Sequence, residues 1–396
     1  MAAAKNSIAR ASIAGSQDAW TIGVLFSHTG LMEIPSIQHV RGATLAIDEI
    51  NAAGGVLGRP LNAIHYDTQS DLALYRQYAD RLLTEDGVGV IIGCCTSLSR
   101  KAVLPSIERR NGLLWYPDLY EGFEYSPNVI YVGAATNQNS LPLARYLFGQ
   151  GKRRFMLIGS DYIYPREANR VMRDLIERHG GEVLDEIYLP MGTPDEEIRR
   201  LVSRVQALKP DAVFSTLVGN NICRLCEHYA DAGIDPADIP IASHNMTEAE
   251  LAVVGRPECA GHITAAPYFS SVDSILNRRF VDAFRSRFGP AAPVSQYAVA
   301  AYSAVLLFAT TLELAGEMDT QRMMQCARGL ELEAPHGRIV IDLDNNHTWM
   351  TPRVGVWNGF DEFDVVWESD QVVQPDPWLV SYGGVEEIPQ PASAAG

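Results

Sequence analysis

Residues 91–128 read IIGCCTSLSRKAVLPSIERRNGLLWYPDLYEGFEYSPN. An apolar strand over Val88–Gly93 runs into a short polar loop. The spacing then predicts a helix over about Ser99–Arg110 and a second strand ending in Trp115-Tyr116-Pro117-Asp118. A strand–helix–strand unit of this length is a parallel crossover, so both strands stop at the same edge of one sheet. In open α/β sheets that edge is where ligands sit. The loop supplies Cys95, Thr96 and Ser97 just before a helix N-terminus, whose free N–H groups favour a carbonyl or an anion. The second strand end supplies Tyr116, Pro117 and Asp118. Nothing here resembles a reactive centre; the pattern suits holding something small and polar.

Working outward, the same rhythm recurs. Strands are expected at Thr21–Phe26 and Leu61–Tyr66, with helices at about Ser36–Asn51 and Asp71–Thr84. The rhythm restarts after Asn137. It gives a helix over Ser140–Gln150, a strand over Arg154–Gly159, the loop SDYIYPRE (160–167), and a helix over Ala168–His179. Strands follow at Glu182–Leu189, Ala212–Leu217, Ile239–Ser243 and Gly261–Ala266, with helices at Glu196–Leu208 and Asn221–Ala232 between them. The tail changes character. It has helices at about Ser274–Phe288, Gln296–Ala315 and Thr320–Gly329, then strands at Gly337–Ile341, Arg353–Trp357 and Phe363–Glu368. Trp357-Asn-Gly-Phe is a hairpin turn signal. The expected fold is therefore α/β, with two doubly wound parallel-sheet lobes and a ligand cleft between them. Residues 19–134 plus 268–334 are expected in the N-terminal lobe and 135–267 plus 335–385 in the C-terminal lobe. Residues 1–18 are read as a disordered leader and 386–396 as a flexible tail.

Composition narrows the function. A net charge of −16 argues against direct nucleic-acid binding, which needs a basic face. No run of 18 apolar residues exists, so no membrane insertion is expected. The segment MAAAKNSIARASIAGSQDAW lacks the continuous apolar run of a secretory signal. A cytoplasmic location is expected from it, or a periplasmic one if a signal was removed. The six cysteines do not form a disulfide scaffold and are consistent with a reducing compartment. No Walker sequence, G-x-G-x-x-G, H-E-x-x-H or G-x-S-x-G is present, so no enzyme activity, cofactor or metal is expected.

Several residues invite sharper readings that the pattern does not support. Cys94-Cys95 has no accompanying base and is read as strand-end packing. Cys223-x-x-Cys226 with His228 lacks a second ligand pair for zinc. Arg100 and Lys101 are read as solvated or paired with acids rather than as a phosphate site. Glu121, Glu124 and Asp161 form no convincing acid–base pair. Tyr162 and Tyr164, and the strand-end residues Asn220, His244 and Asn245, are ligand candidates from the second lobe; Ser27 and Thr29 are candidates from the first.

The stretch Ala46-Ile-Asp-Glu-Ile-Asn-Ala-Ala-Gly-Gly-Val-Leu-Gly-Arg-Pro60 resembles type I periplasmic binding proteins of the branched-chain amino acid and amide group. Within that group the chain is most similar to the cytoplasmic amide sensors that control aliphatic amidase operons. The similarity is carried by Ser99-Arg-Lys-Ala-Val-Leu-Pro105, Tyr120-Glu-Gly-Phe-Glu-Tyr-Ser-Pro-Asn128, Ile158-Gly-Ser-Asp-Tyr-Ile-Tyr-Pro-Arg-Glu167 and Ala266-Pro-Tyr-Phe-Ser-Ser271. The resemblance implies a sensor that binds a short aliphatic amide, urea or amidine between two lobes. It also implies a partner, an RNA-binding antiterminator, released by the ligand, and leaves room for a homo-oligomer. The alternative is the substrate-binding protein of an importer for urea, short amides or branched-chain amino acids. The pocket carried over by the resemblance is Ser97, Tyr116, Asp118, Tyr162 and Tyr164, with Cys95 nearby. Two positions depart from it: Cys95 stands where the sensors have a bulky aromatic side chain, and Asp118 where they have threonine. An ionised carboxylate only accepts hydrogen bonds, so Asp118 points to a donor-rich ligand.

Overall fold

The computed structural model describes residues 19–379. The leader and tail expectations for 1–18 and 386–396 lie outside the described residues, and the expected C-terminal lobe extends past them.

The first lobe is built on β1 (Trp20–Phe26), α1 (Glu33–Ala52), β2 (Leu61–Asp67), α2 (Leu72–Thr84), β3 (Val90–Gly93), α3 (Ser97–Arg109), β4 (Leu113–Tyr116) and β5 (Val129–Tyr131). Its five strands run in the order β2-β1-β3-β4-β5, all parallel. β3 and β4 are adjacent, with Ile92 opposite Trp115, so the loops that follow them leave the same edge side by side. Caps fix where the helices begin. Asp71 accepts from the Ala73 amide at 2.6 Å to start α2, and Thr96 accepts from the Ser99 amide at 3.1 Å to start α3.

The second unit comprises α4 (Thr136–Gly149), β6 (Arg154–Ser160), α5 (Ile163–Arg178), β7 (Glu182–Leu189), α6 (Asp195–Leu208), β8 (Ala212–Thr216), α7 (Asn220–Asp231), β9 (Ile241–Ser243), α8 (Glu248–Val254) and β10 (Ile263–Ala266). The chain continues through α9 (Ile275–Phe288), α10 (Gln296–Ala315), α11 (Thr320–Ala327), β11 (Glu331–Ala334), β12 (Gly337–Ile341), β13 (Thr348–Trp349), β14 (Arg353–Trp357) and β15 (Phe363–Glu368). The second sheet runs β15-β14-β10-β9-β8-β6-β7, parallel except for β14, which pairs antiparallel with both β10 and β15. α10 and α11 pack into the first lobe's core, while β14 and β15 extend the second sheet. The chain therefore passes between the lobes at 132–135, 267–274 and 350–352.

α10 is apolar nearly all round and long enough to cross a membrane, yet most of it is buried against α1, β3 and β4. Its approach to α1 is close enough that a Cβ on Gly42 would lie 1.9 Å from the Ala298 carbonyl oxygen. Only glycine permits that crossing.

Several expectations are corrected by the structure. Residues 160–167, expected as a loop, contain the start of α5: Tyr162 is its N-cap and Tyr164 lies in its first turn. Pro165 suggests a break, but a proline in the first helical turn removes no hydrogen bond. The Asn358-Gly359 turn is wider than a two-residue hairpin. Five residues separate β14 from β15, and the Asn358 side chain accepts from the Phe360 amide at 2.8 Å to shape the loop. β5, α8, β11 and β13 are absent from the sequence-based expectation, because two to seven residues show no usable periodicity. β11 pairs with β12 in one sheet, and Ile339 and Ile341 of β12 pack with the first lobe's core. We therefore propose lobe boundaries that keep this hairpin in the N-terminal lobe.

Candidate functional site

Every ligand-site residue expected from the loops after β3 and β4 lies at the C-terminal edge of the first sheet, facing the corresponding edge of the second. The lobes are in contact there. Cys95, Trp115, Leu119, Tyr162, Tyr164, Val218 and Tyr297 belong to a single apolar cluster. Gly219, at φ +58°, clears the Leu31 carbonyl oxygen, which a Cβ would approach to 2.1 Å. Where the lobes meet, the polar groups of Cys95, Ser97, Asp118, Tyr162, Tyr164 and Asn245 are buried with them, each residue less than a tenth exposed.

Not every expected residue points its polar atoms at this junction. Thr96 is spent on capping α3. Ser27 hydrogen-bonds Thr68 at 2.8 Å and accepts from the Ser70 amide at 2.9 Å, holding the β1 loop. Thr29 donates to Asp67. The Tyr116 hydroxyl donates to the Leu119 carbonyl at 3.3 Å, so this ring supports the loop from below. Asn220 is exposed at the start of α7, away from the buried cluster. Pro117 contributes its carbonyl, which faces His39. On the opposite wall Tyr164 donates to the Asn245 side-chain oxygen at 3.3 Å, beside His244 Nδ1 at 3.5 Å. His244 is held neutral by burial, with its pKa pushed down to about 3. Gln296 of α10 donates to the His244 carbonyl at 2.8 Å and ties the crossing helix to the second lobe.

Beneath the floor of the first lobe sits a buried cation. The Arg100 guanidinium lies 4.7 Å from the Tyr116 ring centre and 4.6 Å from that of Tyr120. It donates to Glu124 at 2.6 Å and faces Glu121 at 3.5 Å. Glu121 in turn accepts from the Ser97 hydroxyl, so this acid sets the serine's orientation. The expectation that Arg100 is solvated fails, because the side chain is fully buried; the expectation that it pairs with acids holds. Tyr120 and Tyr131, which complete the aromatic bed, stack with His347 from the β12–β13 connection. Lys101 adds a second charge to Glu124.

Burial raises the Glu124 pKa, but the Arg100 and Lys101 charges outweigh it and hold the carboxyl at about 2, against an ordinary 4.5. A depressed carboxylate stabilises the fold fully above its unfolded pKa and loses that contribution as pH falls through its folded value. Wild type and Glu124→Gln should therefore differ by roughly 3 kcal/mol in urea unfolding near pH 6. The gap should shrink between pH 4.5 and 2, and a gap that stays constant over that range would overturn the assignment.

The two positions that depart from the amide-sensor pattern touch each other. Cys95 and Asp118 share a hydrogen bond, and burial pushes both pKa values well up. Burial thus disfavours the ionised form of the Asp118 carboxyl, which works against a demand for a cationic or donor-rich ligand. Beside them is His39 of α1, stacked on Phe26 with ring centres 4.9 Å apart. Its Nε2 lies 3.9 Å from Asp118 Oδ2. Sequence reasoning misses His39, Gln296 and Tyr297, which reach the site from helices distant in the chain and carry no local motif. The Cys223–Cys226–His228 group does not converge: His228 bonds Asp195 at 2.9 Å, while Cys226 faces Met246.

A surface cavity of about 560 Å³, lined by Asn137, Arg145, Trp367 and Trp378 among others, lies away from this site beside the last described residues. It is open to solvent and lacks groups from both lobes' strand ends.

Comparison with known proteins is consistent with this geometry. A family model described as a periplasmic binding protein domain matches residues 20–383. The chain is 26% identical over 285 residues to the Leu/Ile/Val-binding protein homolog 6 of Brucella melitensis, covering 70% of this chain and 72% of that one. It is 22% identical over 305 residues to the leucine-, isoleucine-, valine-, threonine- and alanine-binding protein of Pseudomonas aeruginosa, covering 76% and 80%. Among solved structures, a solute binding protein of an ABC transporter from Rhodopseudomonas palustris HaA2, in complex with p-hydroxybenzoic acid, superposes with a TM-score of 0.82. The identity is 20%, over 92% of this chain and 100% of that one. The branched-chain amino acid transporter substrate binding protein of Streptococcus pneumoniae, in complex with isoleucine, gives a TM-score of 0.77 at 19% identity, over 90% and 100%. These relatives are binding proteins, not enzymes. The chain belongs to the periplasmic binding protein family, with the type I fold.

Proposed function

We propose that this protein captures a small, net-neutral, carbonyl-bearing solute between its lobes, as the solute-binding component of an importer. An amide, urea or a zwitterionic amino acid fits that description. The observation that carries the reading is the set of buried polar groups at the lobe junction, with Ser97 and Asp118 from the first lobe and Tyr162, Tyr164 and Asn245 from the second. Groups drawn from both lobes let a solute favour the closed arrangement by differential affinity. Charge argues for a net-neutral solute. Arg100, the buried cation beside the site, is committed to Glu121 and Glu124, and burial disfavours the ionised form of Asp118. An importer role, supported by the transporter relatives, puts the protein in the periplasm rather than the cytoplasm.

A thermal-shift series with acetamide, butyramide, urea, leucine, acetamidine, guanidine and 4-hydroxybenzoate tests the class. A true solute at about 100 times its Kd stabilises the fold by about 2.7 kcal/mol. We expect a dose-dependent rise with an amide, urea or leucine. A response confined to the anion 4-hydroxybenzoate or to the cations would overturn the reading.

A second reading keeps the site and changes its output: an amide sensor that restrains an RNA-binding antiterminator. It is favoured by the motif runs at 120–128 and 158–167. Its test is recovery of a protein partner from native cells that an amide releases; a permease complex recovered instead would rule it out.

A further inference from the structure

We infer that His39, Cys95 and Asp118 form a site for a divalent ion of the zinc type, set in the wall of the cleft with one coordination position open toward the solute. The inference rests on the cleft being the solute site and deepens it by naming what would grip the solute's oxygen. His39 comes from α1, Cys95 from the loop after β3 and Asp118 from the loop after β4. One ligand atom from each lies within 4.8 Å of the other two, and all three residues are buried.

The imidazole supplies an independent argument. Its Nδ1 is 3.0 Å from the Pro35 carbonyl oxygen and its Nε2 is 3.2 Å from that of Pro117. A neutral imidazole carries one N–H. Whichever nitrogen holds it, the other sets a lone pair against a carbonyl lone pair. The ring is one cation short. Asp118 lies on the Nε2 side and shares a hydrogen bond with Cys95, so the cation belongs there, with Nδ1–H donating to Pro35. That outer hydrogen bond to a backbone carbonyl is the usual support of a metal-bound histidine.

The donor set fits. Sulfur, imidazole nitrogen and carboxylate oxygen together suit zinc, and three protein ligands leave a fourth position free. Zinc–ligand bonds of about 2.0–2.3 Å in a tetrahedron place ligand atoms roughly 3.3–3.7 Å apart. The His39–Asp118 separation of 3.9 Å needs only a small contraction to reach that spacing. The thiol gives its proton to solvent on binding, and Asp118 binds as the carboxylate. Thiolate, carboxylate and Zn²⁺ then sum to zero charge, so the fourth position suits the neutral carbonyl oxygen of an amide or urea.

The test uses the full chain, stripped with a chelator and titrated with Co²⁺. We expect thiolate-to-cobalt charge-transfer absorption saturating at one equivalent, with a raised melting midpoint. Cys95→Ser should abolish the absorption, and Asp118→Asn should weaken Co²⁺ binding at least tenfold. Cys259→Ser should change neither, although Cys259 lies against Cys226 and His262. No absorption, or absorption lost in Cys259→Ser and kept in Cys95→Ser, overturns the site. Solute shifts are then compared with zinc and with chelator. A solute response equal in both overturns the metal and leaves the solute reading standing. Metal binding with no response to any solute overturns the solute reading and leaves the metal.

Discussion

Arg100→Met should lower the free energy of unfolding by about 3–5 kcal/mol, the usual cost of removing one partner from a buried ion pair. The side chain is fully buried between Tyr116 and Tyr120, and its charge neutralises Glu121, which is itself almost fully buried. Methionine fills much of the volume but takes the nearer cation from the buried Glu121 carboxylate, leaving it only the more distant Lys101, at 3.9 Å, and the Ser97 hydroxyl. Glu124 suffers less, because Lys101 still pairs with it. Adding Glu121→Gln to Arg100→Met should therefore recover part of the loss, a coupling that a double-mutant cycle by urea unfolding reads directly. Strictly additive single mutants would refute the pairing. Because Glu121 orients Ser97, the same substitution should also weaken solute binding.

Gly133→Ala should cost at least tenfold in solute affinity, about 1.4 kcal/mol, together with about 1–3 kcal/mol of stability. A Cβ at this position would lie 2.0 Å from the Asp118 carbonyl oxygen and 2.1 Å from its carbon. No side-chain rotation relieves an overlap with backbone, so the Pro117–Leu119 loop must move. That loop carries Asp118 and the carbonyl that faces His39. Gly149→Ala is the control. It sits exposed at the end of α4, a Cβ there would meet nothing within 4 Å, and binding should be unchanged. Equal affinity in the two variants, measured by titration calorimetry, would show that the Asp118 loop does not shape the site.

Much of the fold is legible because the first lobe's strands are continuous apolar runs and the intervening helices are capped. Val88–Gly93 and Leu113–Tyr116 announce buried parallel strands, and their crossover length fixes that both end at one edge. Asp71 and Thr96 are cap residues whose side chains mark helix starts. The start of α5 escapes local reading by five residues because Pro165 is a breaker inside a helix but harmless in its first turn. The short β5 and β11 carry too few residues for any period.

The site is legible in the same graded way. Ser97 and Asp118 stand at the strand ends to which local sequence assigns them, whereas Tyr162 and Tyr164, expected in a loop, cap and begin α5. For Arg100 the local reading leaves solvation and pairing with acids both open, and only the structure shows the pairing to be a buried one. Its burial depends on three aromatic rings and two acids assembled from β4, β5 and the loop between them. His39 is invisible for a related reason: nothing within ten residues of it distinguishes a core histidine from one that faces Cys95 and Asp118.

By itself, then, the sequence determined the layers, the parallel crossovers and the sheet edge where the candidate site stands, because hydrophobic period and capping are local and each element reports its own type. Tertiary structure alone decided which groups meet at that edge. Whether Asp118 is charged, whether Arg100 is free to bind an anion and whether His39 joins Cys95 depend on burial and on partners supplied by distant segments, and the free energy of a charge is set by its surroundings rather than by its neighbours in the chain.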